Sequence, residues 1–288
     1  MTKKTKFITF VGAPNVGKST LLNLLMDQKL SIVTPKAQTT RTSLKGIKIF
    51  GDTQLVLIDT PGLFSPKTYA DKVMVDCALQ MISGTDEVAL LIDAKYPLTD
   101  ANKKIIENIK KEKVPAILLI NKIDQVKKPD LLAISSKLNE LHNFSQTFMI
   151  SALKTKGIDS LLDYLVSSAD ASPWPFSEDE ITTAPLKFMI SEIVREKIFL
   201  FTNKEIPYST YVEVEHWKEQ EKTDVIDILI RVRDRNHKKI ILGTQGDLIK
   251  KIGTKARTEI EQLLNKKIFL RTHLKISTID QIMQYKPY

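Results

Sequence analysis

Apolar positions along the chain fall into short runs of strand length, with helical patterns between them. Lys6–Val11 (KFITFV) reads as a buried strand, and Leu21, Leu22, Leu24 and Leu25 follow at helical spacing. Further strands are predicted at about Ile47–Phe50, Leu55–Ile58, Glu87–Ile92, Ala116–Ile120 and Phe148–Ile150. Helices are predicted over Tyr69–Ile82, Asp100–Lys111, Pro129–Leu141 and Ile158–Ser167. This alternation predicts a three-layer α/β fold on a mostly parallel sheet, with functional loops at the carboxyl ends of the strands. It breaks at SPWPFSEDEITTA, residues 172–184, which is rich in proline and polar residues and reads as a linker. A different order follows: a helix (Pro185–Phe201), two strands (Tyr208–Trp217, Val225–Val232), helices around Gly243–Leu264 and a last strand (Ile268–Ile276). Two domains are therefore expected, α/β over 1–171 and α+β over 185–288, which suits a chain of 288 residues.

Charge changes the picture in the second unit. The chain carries +9, and from Arg231 to Lys275 thirteen Lys or Arg face four Asp or Glu, a local balance that equals the whole. A polyanionic partner is implied, nucleic acid or anionic lipid, and the charge does not choose between them. Cys77 is the single cysteine, so a disulfide framework and a thiolate metal cluster are excluded and a reducing cytoplasm is expected. No apolar run reaches the eighteen or so residues of a membrane span. The lysines ahead of FITFVG imitate a signal peptide, but that apolar stretch is too short.

The chemistry begins at Gly12–Thr20, GAPNVGKST, which fits G-x-x-x-x-G-K-[ST] between a strand and a helix. Gly12, Asn15, Val16, Gly17 and Thr20 belong to a loop whose N–H groups, with the helix N-terminus, cradle phosphates. Lys18 is expected to reach the β- and γ-phosphates and to be catalytic, and the Ser19 hydroxyl to ligate Mg²⁺. Asp59–Gly62, DTPG, follows LVLI; Asp59 is the second Mg²⁺ anchor, and Gly62 presents its N–H to the γ-phosphate. Asn121, Lys122 and Asp124 in NKID select the base: a fixed carboxylate accepts from adjacent N–H donors, which guanine carries and adenine does not. Ser151-Ala152-Leu153 offers a backbone N–H to guanine O6. In the loop Gln38-Thr39-Thr40-Arg41, Thr40 is chosen over Thr39 to complete the Mg²⁺ shell when a γ-phosphate is present, which makes the loop a switch and Thr40 catalytic. The expected activity is Mg²⁺-dependent GTP hydrolysis. A metabolic P-loop kinase is argued against by NKID.

The second unit carries Gly243-Thr244-Gln245-Gly246, a GxxG loop followed by LIKKIG. Its glycines let backbone approach a nucleic-acid strand, Lys250 and Lys251 favour the phosphates, and Leu248, Ile249 and Ile252 are expected to form a shallow groove for bases. The element order and this loop resemble a type II KH domain. A basic α+β domain that contacts protein would share these features. His237, beside Arg235 and Lys238, reads as a solvated loop histidine, and Trp174 and Trp217 as packing groups.

Together the nucleotide motifs resemble the translation-factor-like branch of the Ras-type GTPases. The strings GAPNVGKSTLLN, KAQTTR, DTPGL, NKID, SEIVREKIF and ILGTQGDLIKKIG go further and resemble the Era family of bacterial GTPases, over about Lys6 to Ile276. The resemblance implies a GTPase that binds 16S ribosomal RNA near its 3′ end and acts in maturation of the small ribosomal subunit. It also implies peripheral association with the inner face of the membrane. The chain departs from the family at EDEITTAPLKF, where an acidic-arginine pair is expected. Leu63 stands where Ras-like proteins carry the water-orienting glutamine.

Overall fold

The computed structural model describes residues 2–36, 39–63, 69–203 and 206–277. The chain divides into two compact units, Met1–Thr183 and Ala184–Tyr288.

The first unit runs β1 (Lys4–Val11), α1 (Lys18–Met26), β2 (Leu44–Phe50), β3 (Thr53–Asp59), α2 (Tyr69–Ser83), β4 (Glu87–Asp93), α3 (Asp100–Glu112), β5 (Ala116–Asn121), α4 (Lys128–Leu141), β6 (Thr147–Met149), α5 (Ile158–Ser167) and β7 (Asp170–Ala171). The strand order is β2-β3-β1-β4-β5-β6, with β7 pairing β1; the β2–β3 and β1–β7 pairs are antiparallel and the others parallel. Continuous apolar runs such as VALLI and AILLI suit these strands because both faces are covered. Val88, Leu90 and Ile92 pack with Ile105, Ile106 and Ile109 of α3 in one core, and the alternate residues Ala89 and Leu91, equally buried, lie on the opposite face. Parallel order brings the carboxyl ends of β1, β3, β4 and β5 to one edge, and every nucleotide motif sits there.

Residues 172–183 are held along this unit rather than hanging free. Trp174 Nε1 donates to the Asp52 carbonyl (3.0 Å), Gln54 and Phe176 exchange two hydrogen bonds, and the Ile47 N–H donates to the Ile181 carbonyl (2.8 Å). The segment covers β2, an edge strand whose free N–H and C=O groups would otherwise invite another chain.

The second unit runs α6 (Leu186–Phe201), β8 (Thr210–Lys218), β9 (Thr223–Val232), α7 (Arg235–Leu242), α8 (Asp247–Leu264) and β10 (Lys267–Ile276). Its sheet has β9 in the centre, antiparallel to β8 and parallel to β10. Ile226, Ile228, Ile230 and Val232 of β9 pack against Ile190, Val194 and Ile198 of α6 and Ile252, Ala256 and Ile260 of α8. This is the helix-strand-strand-helix-helix-strand order of a type II KH domain. Helix α7 starts eight residues before the helical stretch read from sequence, because Asp234 caps it by accepting from the N–H groups of Asn236 and His237.

Candidate nucleotide site and nucleic-acid interface

The loop Gly12–Gly17 joins β1 to α1. Gly17 has φ 105°, and a Cβ there would lie 2.4 Å from Asn121 Nδ2, so the turn admits no side chain. Asn15 is exposed, with φ 63°, while Val16 is buried and Thr20 half-buried in the first turn of α1. Lys18 is buried and donates to the carbonyls of Gly12 (3.1 Å) and Ala13 (3.2 Å). Burial lowers its pKa to about 8, an effect that Asp59 opposes. Asp59 is pushed up by the same burial, against Lys18 and the hydroxyls of Ser19, Ser31 and Thr40.

Asp59 closes β3 and is the hub of the site. Its Oδ2 accepts from Ser19 Oγ at 2.6 Å, and Thr40 Oγ1 lies 3.0 Å from Ser19 Oγ and 3.5 Å from Asp59 Oδ2. The Thr39 hydroxyl instead turns to the Lys36 carbonyl and Thr34 Oγ1, each at 2.8 Å. Gln38 lies outside the described residues. Asp59 Oδ1 is buried and has no hydrogen-bond partner among the described residues, the condition of an oxygen prepared for a cation or its water. Gly62 packs so close to the phosphate loop that a Cβ would sit 2.9 Å from Pro14 Cα. Leu63 is 2% exposed and turned into the core, and its N–H donates to the Gly12 carbonyl at 3.0 Å.

On the base side, Asp124 is exposed and Ser151 Oγ donates to its Oδ1 at 2.5 Å. That bond leads the causes that hold the Asp124 pKa below its ordinary value. Asn121 is only 2% exposed: Nδ2 donates to the Val16 carbonyl (2.7 Å), and Oδ1 accepts from the N–H groups of Lys122 (2.8 Å) and Ala152 (3.0 Å). It ties the phosphate loop to both base loops. Lys122 reaches back to the Asn15 carbonyl and to Asp93 Oδ2, each at 2.7 Å. Leu153 is 73% exposed beside Asp124 and Ser151.

In the second unit the GxxG loop is a tight turn between α7 and α8. Gly243 has φ 72°, Gln245 φ 53° and Gly246 φ 85°; Thr244 and Gln245 are exposed, and a Cβ at Gly246 would meet nothing within 4 Å. Backbone is thus offered to solvent at the start of an eighteen-residue helix whose N-terminus favours negative charge. Lys250 and Lys251 are exposed in the first turns, and Lys251 Nζ lies 4.5 Å from the centre of the Phe201 ring. Leu248 and Ile249 are half-buried and remain available at the surface. Ile252 is not: it is fully buried, because the helical repeat stacks it with Ala256 and Ile260 on the inner face. The base groove expected from sequence therefore loses that residue. His237 is likewise no loop histidine, since it lies on α7 with Nδ1 3.2 Å from Ser209 Oγ.

A family described as "50S ribosome-binding GTPase" matches residues 7–122, and a "KH domain" family matches residues 205–279. The GTPase Era of Mesorhizobium japonicum is 43% identical over 271 residues, 94% of this chain and 87% of that protein. The GTPase Era of Ehrlichia canis is 43% identical over 282 residues, 97% and 95%. The chain belongs to the Era family of GTPases. Among solved structures, Era in complex with MgGDPNP and nucleotides 1506–1542 of 16S ribosomal RNA is similar at TM-score 0.93 and 34% identity, over 97% of this chain and 95% of that one. A variant of Aquifex aeolicus Era bound to GDP·AlF4− is similar at TM-score 0.92 and 35% identity, over 96% and 95%.

For an Era-family GTPase the sequence reading overlooked three residues of the site. Asp93 anchors Lys122, and its only signal is a carboxylate ending the run EVALLI, as Asp59 ends LVLI. Ser31 donates to Asp59 Oδ2 at 2.9 Å, and Asn23 holds Ser31; Ser31 carries no recognisable pattern, and Asn23 ends the string GAPNVGKSTLLN without a role of its own there.

Proposed function

We propose that this Era-family GTPase is a nucleotide switch that binds 16S ribosomal RNA through its KH unit and acts in maturation of the small ribosomal subunit. On this reading the loop Gly12–Thr20, Gly62 and Lys18 hold the GTP phosphates. Asp124 reads guanine, while Asn121, Lys122 and Ser151–Leu153 fix the loops around the base. Ser19, Thr40 and Asp59 would hold Mg²⁺, and Asp59 Oδ1, without a hydrogen-bond partner among the described residues, fits that assignment. When bound, the ion supplies positive charge at the β- and γ-phosphates. Lys18 adds a second positive charge, and the hydroxyl of Thr40 ties the loop that carries it to the same point. Loss of that tie on hydrolysis would let the loop disengage, which is the element of a switch.

The observation that carries the RNA half is the GxxG turn: two exposed residues between left-handed glycines, on the most basic stretch of the chain. Gly243–Gly246 would clamp about four nucleotides, with Lys250 and Lys251 toward their phosphates. The test is Thr244→Asp together with Gln245→Asp, which sets two negative charges against the RNA backbone and leaves the core alone. Fluorescence anisotropy should show affinity for single-stranded 16S 3′-end RNA falling about tenfold or more, with GTP binding unchanged. Wild-type affinity should decline with salt on a log–log slope of about −3 for four neutralised phosphates. Equal affinities for the two proteins would move the RNA site elsewhere. A second reading, peripheral docking to the inner membrane face, rests on the same +9 charge; among the described residues no helix is long and apolar enough to cross a membrane. Flotation with anionic vesicles tests it.

A further inference from the structure

Asp59 receives more from the chain than its metal role asks for. Besides Ser19 Oγ, its Oδ2 accepts from Ser31 Oγ at 2.9 Å, and Ser31 lies in no nucleotide motif. Ser31 is 4% exposed, and Asn23 of α1 holds its backbone through two hydrogen bonds, with a third to its neighbour Leu30. Asn23 Oδ1 accepts from the N–H groups of Leu30 and Ser31, each at 2.9 Å, and Asn23 Nδ2 donates to the Ser31 carbonyl at 2.7 Å. A serine in an ordinary loop gives its hydroxyl to water. This one is fixed by the helix that begins at the phosphate loop, and it fixes one oxygen of a carboxylate whose other oxygen is buried without a partner among the described residues.

We infer that Ser31, held by Asn23, is a positioning residue for the metal site: by anchoring Oδ2 it sets the rotation of the Asp59 carboxylate and keeps Oδ1 aimed at the cation. The torsion that turns a carboxylate is broad, so a single hydrogen bond leaves it free to pivot. Ser19 cannot supply the restraint alone, because its own oxygen is assigned to the ion. Ser31 stands outside the ligand set, so its hydroxyl serves Asp59 whether or not the ion is bound. It also lies between α1 and Thr40, so the same grip ties that connection back to α1 at Asn23.

The inference rests on Ser19, Thr40 and Asp59 being the metal set, and one experiment separates the two claims. Dissociation of a fluorescent GDP from the full chain is followed from excess chelator to saturating Mg²⁺. Ser31→Ala should raise the Mg²⁺ concentration that half-maximally slows release by about tenfold, the low end for loss of an outer partner of a metal ligand. Its Mg²⁺-free release rate and thermal midpoint should stay near wild type, and Ser31→Thr should return the Mg²⁺ dependence toward normal. Ser31→Cys, close in volume and a weak donor, takes the place of Ser31→Ala if that variant does not fold. Release from wild type that ignores Mg²⁺ would overturn the metal reading itself. Normal dependence in wild type with the variant within twofold would overturn only the role of Ser31. So would a variant that speeds release equally with and without Mg²⁺, the mark of a general packing defect.

Discussion

At the scale of the single residue, the proposed choice of base rests on the charge and placement of Asp124. Ser151 donates to its Oδ1 and holds its pKa down, so the carboxylate is ionised throughout the neutral range. An ionised acceptor pair matches guanine's N1–H and exocyclic amine; against adenine, one oxygen would face a ring lone pair. Asp124→Asn turns one acceptor into a donor. It should weaken GTP by about 10²-fold or more and improve xanthosine triphosphate, whose ring carries an extra acceptor. Competition binding among GTP, ATP and xanthosine triphosphate measures this, and wild-type protein that prefers ATP would end the reading. The place of Asp124, in the loop that follows β5, was legible because an apolar run and N-K-x-D coincide. The job of Asn121 was not, since the residues it joins, Val16 and Ala152, are 105 and 31 positions away in sequence.

At the scale of the element, one carboxylate of the sheet in the second unit grips the turn that follows α8. Asp224, near the start of β9, is 3% exposed; it accepts from Lys266 Nζ (2.6 Å), the Gln220 N–H (3.0 Å) and Trp217 Nε1 (3.0 Å). Lys266 first, then the Gln220 N–H and Trp217, hold its pKa down to about 2. An unfolded Asp has a pKa of about 3.9, so the unfolded chain takes up the proton first as pH falls. The stability this group contributes is therefore complete above about pH 4 and lost as pH drops through about 2. Asp224→Asn should lower the unfolding midpoint of the KH unit at pH 5 and narrow its gap to wild type near pH 2. Trp217 fluorescence in a Trp174→Phe background reports that unit alone. An equal gap at both pH values would show that the charge is not what matters. The strand β9 was legible in the sequence, where it is read over Val225–Val232; the grip on Asp224 was not, because Lys266 reaches it only after α8 has returned the chain to the sheet.

At the scale of the whole molecule, the expected rate of hydrolysis turns on Leu63. Leu63 occupies the place of a polar water-orienter and is buried, so it cannot take over that task from where it sits. The full chain alone should hydrolyse GTP at about 10⁻⁴ to 10⁻² s⁻¹, the range of Ras-type proteins without an activator. Lys18→Ala should abolish even that by removing the charge at the phosphates. Single-turnover phosphate release checks both, and fast turnover by the wild type would mean that a catalytic group remains unidentified.

Much of this protein was determined locally. Buried parallel strands demand continuous apolar runs, a phosphate loop demands glycines before Lys18, and a KH turn demands glycines at 243 and 246, so each is written within a dozen residues. The tertiary structure decided what depends on residues far apart in the chain meeting. It joined the stretch 172–183 to the edge of β2, which composition alone reads as a linker. It put Ile252 in the core rather than in the groove, because the helix's face was chosen by the sheet beneath it. It paired Lys6 with Glu87 at 2.8 Å, both buried and attended by Ser145, Tyr164 and Ser168, although nothing in KFITFV or EVALLI marks the two as partners. And it brought Ser31 to Asp59, 28 residues on. A hydrogen bond needs atoms within about 3 Å, and only the folded backbone sets which distant residues come that close.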